Sequence, residues 1–195
     1  MTEQSEILKL CASKDVLDVG CVGESCDDTL LHAEIEKIAS SVVGIDINTA
    51  GIQHLEKMGY NVLVADAESF DLGSVDFDVI VASNILDHLS NAGRFLTCCR
   101  LHLRDAGILV ITMQNIQSAF VIKEGMGGRC SKVHKFGETP QLLRNLLEAN
   151  GWKVGRLELL PYDNIPTRRG RLVTKMIPKF MQPTIFCVAN KEERG

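Results

Sequence analysis

Short runs of aliphatic and β-branched residues alternate with segments of helical periodicity along most of the chain. Five such runs, at residues 16–19, 42–46, 61–65, 77–82 and 107–113, predict strands. The central runs are continuously apolar and do not alternate with polar positions, which is typical of strands buried on both faces. The pattern therefore predicts an α/β fold built on a doubly wound, mostly parallel sheet with helices on each side.

Apolar residues three and four positions apart predict helices between these strands. The predicted apolar faces are Leu31, Ile35, Ile38 and Ala39 in a helix from about Asp27; Ile52, Leu55 and Met58; Phe95, Leu96, Cys99 and Leu103; and Leu142, Leu143, Leu146 and Leu147. Two further strand-like runs follow, at 153–160 and 184–189. Since no linker or repeat interrupts the pattern, we expect residues 1–195 to form a single domain.

The composition is that of an ordinary globular domain. Of 195 residues, 45% are hydrophobic and 24% charged, and 21 basic against 25 acidic residues give a net charge of −4. This charge disfavours a nucleic-acid binder that works by bulk positive charge. No apolar run reaches the roughly 18 residues that a membrane helix needs. The seven cysteines are odd in number and lack C-x-x-C spacing, which favours reduced thiols and a cytoplasmic location.

Residues suited to ligand binding follow each of the first four predicted strands. These strands end in Asp18-Val19-Gly20-Cys21-Val22-Gly23, in Asp46, in Asp66-Ala67-Glu68 and in Ser83-Asn84. Open parallel sheets bind ligands outside the carboxyl ends of their strands. Glycines there let backbone approach a ligand, and an aspartate can accept two hydrogen bonds from ribose hydroxyls. Each feature alone is common in turns and helix caps, but four in succession predict a nucleoside-shaped site.

The glycine turn indicates which nucleoside ligand fits. A dinucleotide site needs G-x-G-x-x-G so that the pyrophosphate can sit on a helix N-terminus. Here the loop reads GCVGESC, and Glu24, Asp27 and Asp28 place negative charge where a phosphate would lie. The loop therefore argues against a nicotinamide oxidoreductase and for a ligand without phosphate.

The segments VLDVGCVGE, VVGIDI, VLVADAESFDL, FDVIVASNILDHLSN, GILVITMQN and HKFGETPQLLRNLLEANGWKV follow one another in this order. In this combination the sequence resembles the class I S-adenosylmethionine-dependent methyltransferases from about residue 15 to residue 160. It looks most like small stand-alone members with a GCVG loop, which are often linked to surface-glycan pathways. The resemblance implies a Rossmann-like sheet of seven strands whose last strand, near 184–189, is antiparallel. It also implies S-adenosylmethionine as methyl donor and S-adenosylhomocysteine as product.

The resemblance implies roles for the residues around the glycine turn. Asp18, Gly20, Cys21 and Gly23 would lie at the methionine moiety, where the loop backbone contacts its amino and carboxylate groups. The loop departs from the family pattern G-x-G-x-G at Val22 and in the position of Gly23. This departure motivates an alternative function, a non-catalytic binding module that acts as a partner subunit.

The same resemblance implies an adenosine site on the second and third strands. Asp46 would accept hydrogen bonds from both ribose hydroxyls, and Ile47 would lie against the adenine. Asp66 would accept from the exocyclic amine, and the backbone of Ala67 would contact the ring.

Methyl transfer from a sulfonium is a direct displacement, which needs alignment of acceptor, methyl and sulfur more than a catalytic triad. By the resemblance, Ser83 and Asn84 would line the methyl–sulfur region. A base is needed only for a hydroxyl or a protonated amine, and the candidates are His88 and His134. Their structural alternatives are packing or capping of the next helix for His88 and a surface loop position for His134. The long connection 114–137 predicts an acceptor lid or a mobile surface insertion.

The sequence restricts the acceptor and the partners to certain classes without identifying them. We expect a small-molecule or glycan-like acceptor methylated on oxygen or nitrogen, no nucleic acid, no metal and no transmembrane segment, in a monomer or homodimer. The basic stretch 168–179 fits an anionic acceptor, weak contact with a membrane surface, or a solvated helix with its apolar side on the core. About 15 residues precede the first strand, enough for one short helix, so the site is open or is completed by a second subunit or partner.

Overall fold

Strands and helices alternate along the chain in the computed structural model, which describes residues 2–23, 31–119, 121–122, 137–161 and 178–192. The strands are β1 (Asp15–Val19), β2 (Ser41–Asp46), β3 (Val62–Val64), β4 (Phe77–Ser83), β5 (Leu103–Gln114), β6 (Trp152–Leu160) and β7 (Thr184–Lys191). The helices are α1 (Glu3–Cys11), α2 (Leu31–Glu36), α3 (Thr49–Lys57), α4 (Ala92–His102) and α5 (Pro140–Ala149), with 3₁₀ turns at Leu86–His88 and Lys179–Met181.

All seven strands form one sheet in the order β3-β2-β1-β4-β5-β7-β6. The pairs β1–β2, β2–β3, β1–β4 and β4–β5 are parallel, and β7 is antiparallel to both β5 and β6. The predicted mostly parallel seven-stranded sheet with an antiparallel last strand is therefore confirmed. The chain runs from β1 to β2 on one side and returns to β4 on the other, so a ligand cleft is expected outside the carboxyl ends of these strands.

Two hydrophobic clusters cover the two faces of the sheet. One joins alternate strand residues such as Leu17 and Ile80 to the buried faces of α4 and α5. The other joins their neighbours, such as Val16 and Val79, to α1 and α2. Because successive strand residues point to opposite faces, both faces need apolar side chains, and this explains the continuously apolar runs.

The structure corrects three details of the predicted helices. α2 ends at Glu36, and Ile38 and Ala39 lie in the turn before β2, where they still pack on the second cluster. Leu103 begins β5 instead of extending α4, because it pairs with Phe77 of β4. Leu142 is 49% exposed, since one step along a helix rotates it about 100° away from the stripe that α5 buries.

The short helix expected ahead of the first strand is present as α1. Thr2 and Ser5 form a capping box: each backbone N–H donates to the other's hydroxyl oxygen, at 3.0 and 3.1 Å. Ile7 and Cys11 bury the opposite face of α1 in the second cluster. Within the described ranges, no helix combines the length and the apolar character that crossing a membrane requires.

Candidate active site

A cavity of about 870 Å³ opens at the carboxyl ends of β1, β2 and β4, a size typical of small-molecule sites. The predicted residues that line it are Asp18, Gly20, Cys21, Gly23, Asp46, Ile47, Asp66, Ala67, Ser83, Asn84 and His88. The fold thus brings together every predicted cofactor residue and one of the two candidate bases. His134, most of the predicted lid and most of the basic stretch 168–179 lie outside the described residues.

The glycine turn after β1 presents backbone to this cavity. Gly20 and Gly23 have φ angles of +84° and +68°, in the left-handed region that favours glycine. The N–H of Gly20 donates to the carbonyl of Ile45 at 2.8 Å, and an added Cβ would lie 3.2 Å from Cδ1 of Ile85. The turn is therefore held closely between the end of β2 and the segment after β4.

The two strand-end aspartates act as local hydrogen-bond acceptors and keep further capacity. Asp46 accepts the N–H of Val22 at 3.1 Å through one oxygen and that of Asn48 at 2.8 Å through the other. Asp66 accepts the N–H of Glu68 at 2.8 Å. Since a carboxylate has about four lone-pair sites, each aspartate retains acceptor sites for a ligand. Asp46 also ties the glycine turn to β2, so that these two predicted parts of the site form one unit.

The side chain of Cys21 faces the protein interior. It packs with Val22 and residues of α3, and burial, followed by the charge of Asp18, raises the pKa of its thiol. Its Sγ would lie 2.7 Å from a Cβ at position 44, so that β2 requires Gly44 there. We therefore expect Cys21 to contribute its backbone to ligand binding, while its thiol stays protonated.

A buried hydrogen-bonded pair forms the floor beneath the turn. Asp18 is 3% and His32 1% exposed, and Nδ1 of His32 lies 3.1 Å from Oδ2 of Asp18. Nε2 of His32 is buried and has no hydrogen-bond partner in the part of the chain that the structure describes. A neutral imidazole with its proton on Nδ1 fits both facts, because the carboxylate then accepts a hydrogen bond and no N–H is left unpaired. His32 thereby fixes the direction of the Asp18 carboxylate.

A polar network closes the cavity at the end of β4. Ser83 Oγ and Asn84 Nδ2 both donate to Oε1 of Glu3, each at 3.2 Å, and Thr112 of β5 donates to Ser83 at 3.1 Å. Asn84 has a φ of +52°, a conformation that Asn tolerates better than most residues. The predicted methyl–sulfur region is thus joined to α1 and to β5.

His88 lies on the 3₁₀ turn that follows β4. Its side chain is 29% exposed, and its Nε2 lies 3.8 Å from Oδ1 of the buried Asp87. The imidazole lines the cavity, and the Asp87 carboxylate lies close enough to form an ion pair with it when it is protonated. This geometry is compatible with a base.

Two lining residues, Glu3 and His32, are not singled out by the sequence analysis. Glu3 stands in the first turn of α1, about 80 residues before its partners on β4, so no local pattern connects them. His32 neighbours Leu31 in the predicted helix and falls on no apolar repeat. Their acid–base character was the only available signal, and it does not distinguish them from surface residues.

Carboxylates dominate the charge of the cavity wall. The ionisable lining residues in the described ranges are Glu3, Asp18, Asp46, Asp66, Glu68, Asp87, His32 and His88, with no Lys or Arg among them. Such a wall disfavours a phosphate and favours a cationic sulfonium. The ribose and adenine of S-adenosylmethionine match the two strand-end aspartates, so the residues present fit this cofactor.

The fold and the site define a Rossmann-like domain that binds a nucleoside without phosphate, and known proteins extend this assignment. Residues 17–111 match the family model described as a methyltransferase domain. The mitochondrial ubiquinone biosynthesis O-methyltransferase of Mus musculus is 31% identical over 166 residues, which cover 76% of this chain. The chain spans 44% of that relative's length, which is less than half.

Solved methyltransferases share the whole architecture. An S-adenosylmethionine-dependent methyltransferase from Mesorhizobium loti superposes with a TM-score of 0.70 at 16% identity, covering 97% of this chain and 98% of its own. The magnesium protoporphyrin IX methyltransferase of Synechocystis PCC 6803, solved with bound SAH, gives 0.66 at 12% identity, covering 97% and 82%. At these identities the likeness shows the fold. The family-model match and the sequence relatives support a class I S-adenosylmethionine-dependent methyltransferase.

Proposed function

We propose that this protein transfers a methyl group from S-adenosylmethionine to a hydroxyl oxygen of a small-molecule acceptor. The observation that carries the proposal is the cavity in which two strand-end aspartates and a glycine turn meet a wall without described Lys or Arg. The choice of oxygen is supported by relatives named ubiquinone biosynthesis O-methyltransferase, from Mus musculus and Rattus norvegicus.

The residues that would bind the two ends of the cofactor lie on different strands of the sheet. Asp46 and Asp66 would hold the ribose and the adenine amine, while the turn at Gly20 and the Asp18 carboxylate would hold the methionine end. Ile47 is 72% exposed and lines the cavity, so an adenine ring against it would cover apolar surface that now faces water. When bound, S-adenosylmethionine supplies a methyl group already activated by its sulfonium charge. The protein's own task is then alignment of the acceptor.

An alcohol or phenol acceptor also has to lose its proton. In our proposal, His88 takes this proton on its imidazole, and the Asp87 carboxylate 3.8 Å away stabilises the imidazolium that results. His134 remains the second candidate for this role. Ser83 and Asn84 would border the reacting oxygen at the end of β4.

Isothermal titration calorimetry with S-adenosylmethionine, S-adenosylhomocysteine and NAD tests the cofactor part of the proposal. We expect micromolar binding of the first two and none of NAD, since the wall offers a pyrophosphate no described cation. Transfer of a tritiated methyl group to a panel of hydroxyl and amine compounds then tests the choice of oxygen. Binding of neither adenosyl compound would refute the proposal and favour the non-catalytic partner subunit.

A matched pair of variants sharpens the first measurement. Asp66→Asn should weaken binding of both adenosyl compounds, because the amide keeps one acceptor oxygen but loses the charge. Asp71→Asn makes the same change at an exposed aspartate that does not line the cavity, and it should bind like the wild type. Equal affinities of the two variants for S-adenosylmethionine would show that Asp66 does not contribute to cofactor binding.

A further inference from the structure

We propose that α1 supplies a binding site for the acceptor, in which the carboxylate of Glu3 accepts a hydrogen bond from a hydroxyl of an uncharged acceptor. This inference rests on the proposed function, which it deepens by assigning a residue and a class of acceptor. Glu3 is the one residue of α1 that lines the described cavity wall. It lies at the end of β4, on the other side of β1 from β2, which ends at Asp46, and from β3, which Asp66 follows.

The carboxylate of Glu3 is fixed by a chain of hydroxyl donors. Thr112, fully buried on β5, donates to Ser83 at 3.1 Å, and Ser83 donates to Oε1 of Glu3 at 3.2 Å. The amide of Asn84 donates to the same oxygen at 3.2 Å. Because both donors use Oε1, the rotation of the carboxyl group is restrained, and no described residue donates to Oε2. That second oxygen is left as the acceptor site that α1 offers to the cavity.

The helix that carries Glu3 is firmly anchored one turn further on. Arg156 of β6 donates to Oε2 of Glu6 at 2.8 Å, and its guanidinium lies 4.9 Å from the ring centre of Phe186. Hydrogen bonds from Lys9 and then Arg156 lower the pKa of Glu6, so this ion pair is formed at neutral pH. Ile7, buried in the second cluster, anchors the same turn of the helix. The position of Glu3 is therefore set by the fold, and we do not expect it to be that of a freely moving surface glutamate.

The remaining lining residues on this side indicate an uncharged acceptor. Beyond β4 the cavity reaches Gln114 at the end of β5 and Pro183 and Thr184 at the start of β7. Gln114 and Thr184 join Ser83 and Asn84 in a wall of side-chain amides and hydroxyls, which suits a hydroxylated ligand. Glu3 would repel a carboxylate or phosphate placed against it, and no described lining residue supplies a compensating cation. This wall disfavours the anionic acceptor that the basic stretch had suggested.

The test uses Glu3→Gln, which keeps the shape of the side chain and removes its charge. Glu56→Gln on the exposed side of α3 is the matched control, because it makes the same chemical change outside the cavity. Calorimetry with S-adenosylmethionine first establishes that each protein binds the cofactor. Tritiated methyl transfer is then measured with two pairs of an uncharged probe and its carboxylated analogue: catechol with 3,4-dihydroxybenzoate, and methyl glucoside with methyl glucuronoside, in which a carboxylate replaces the primary alcohol. Saturation-transfer NMR on protein loaded with S-adenosylhomocysteine reports acceptor binding without turnover.

We expect the wild type to use the uncharged member of at least one pair in preference to its carboxylated analogue. Glu3→Gln should lower kcat/KM for that compound roughly 10- to 100-fold, the range for a lost hydrogen bond to a charged group, and weaken its NMR signal. The affinity of Glu3→Gln for S-adenosylmethionine should stay within about twofold of the wild type. Glu56→Gln should stay within the same range in cofactor affinity, kcat/KM and NMR signal.

Three results would overturn this inference and leave the cofactor assignment standing. These are full acceptor use by Glu3→Gln, a preference for the carboxylated probes, and transfer to neither uncharged probe by a wild type that binds S-adenosylmethionine. Weaker cofactor binding by Glu3→Gln, without a change in acceptor use, would instead place Glu3 at the sulfonium and would also overturn it. Failure of the wild type to bind the cofactor would refute the proposed function itself.

Discussion

Replacing His32 by alanine removes the side chain that holds Asp18 beneath the glycine turn. In the folded protein Asp18 is 3% exposed, and Nδ1 of His32, at 3.1 Å, is the side-chain donor that the structure places on its carboxylate. The variant therefore leaves a buried carboxylate without this donor and opens a void beside Cys21. Leaving a buried charged acceptor without its donor typically costs about 1–3 kcal/mol or more, and the void adds a packing cost, so we expect His32→Ala to lose about 3–5 kcal/mol of the free energy of unfolding.

Two further variants separate the hydrogen bond from the packing. In His32→Asn the amide nitrogen takes a position similar to Nδ1, so the donor is kept and only volume is lost, for which we expect about 1–2 kcal/mol. Asp18→Asn removes the buried charge, so His32→Ala should cost less in that background than in the wild type. Urea denaturation at pH 7 measures the wild type, the three single variants and the double variant, and calorimetry measures their affinity for S-adenosylmethionine.

Three results would refute this reasoning. A loss below about 0.5 kcal/mol in His32→Ala would be typical of an exposed residue, which the burial of the pair excludes. Equal losses in the alanine and asparagine variants would show that packing, and not the hydrogen bond, accounts for the effect. Additive losses in the double variant would show that the two side chains are not coupled.

Three other substitutions test the site and its support. Asp46→Ala should raise the Kd for S-adenosylmethionine roughly 10- to 100-fold, because hydrogen bonds to a charged acceptor contribute about 1.5–3 kcal/mol; an unchanged Kd by calorimetry would remove Asp46 from the site. Gly44→Ala should cost about 1–3 kcal/mol in urea denaturation, since its Cβ would lie 2.7 Å from both Sγ of Cys21 and Cε1 of His32, and a cost below about 0.5 kcal/mol would contradict the clash. A backbone N–H of β1 and the Arg104 guanidinium hold the pKa of Asp78 below its usual range. These interactions with the Asp78 carboxylate therefore stabilise the fold above about pH 4, and the stabilisation is lost as the pH falls through the lowered pKa. Arg104→Gln should therefore differ from the wild type in urea midpoint at neutral pH and converge with it in acid, and a constant difference would contradict the assignment.

The strands and the cavity-lining residues that follow β1, β2 and β3 were predictable because both depend on local sequence. A strand buried on both faces must be continuously apolar, as residues 77–82 are, and a parallel sheet places its binding residues just after such runs. Asp46 and Asp66 could be found from position alone for this reason. The helix boundaries were less predictable, since Leu103 satisfies a helical repeat and yet pairs in β5.

The side of the cavity that we propose for the acceptor, at Glu3 and the end of β4, could not be predicted in the same way. Glu3 and Ser83 are separated by most of the first half of the sequence, and their contact depends on how α1 docks against the sheet. The docking in turn depends on Arg156 of β6, which comes still later in the chain. Glu3 and Arg156 belong to no motif, so only the assembled fold shows that Glu3 reaches the cavity.

By itself, the sequence determined the mostly parallel sheet and the residues that follow its strands, and it predicted a ligand without phosphate. These follow from hydrophobic periodicity and from the residues next to each strand, which are interactions over short distances along the chain. Tertiary structure alone decided that His32 lies under Asp18, that Cys21 turns its thiol inward, and that a glutamate of α1 reaches the end of β4. These contacts depend on the packing angle and depth of each helix on the sheet, which are set by the sum of many buried contacts and leave no periodic mark in the sequence.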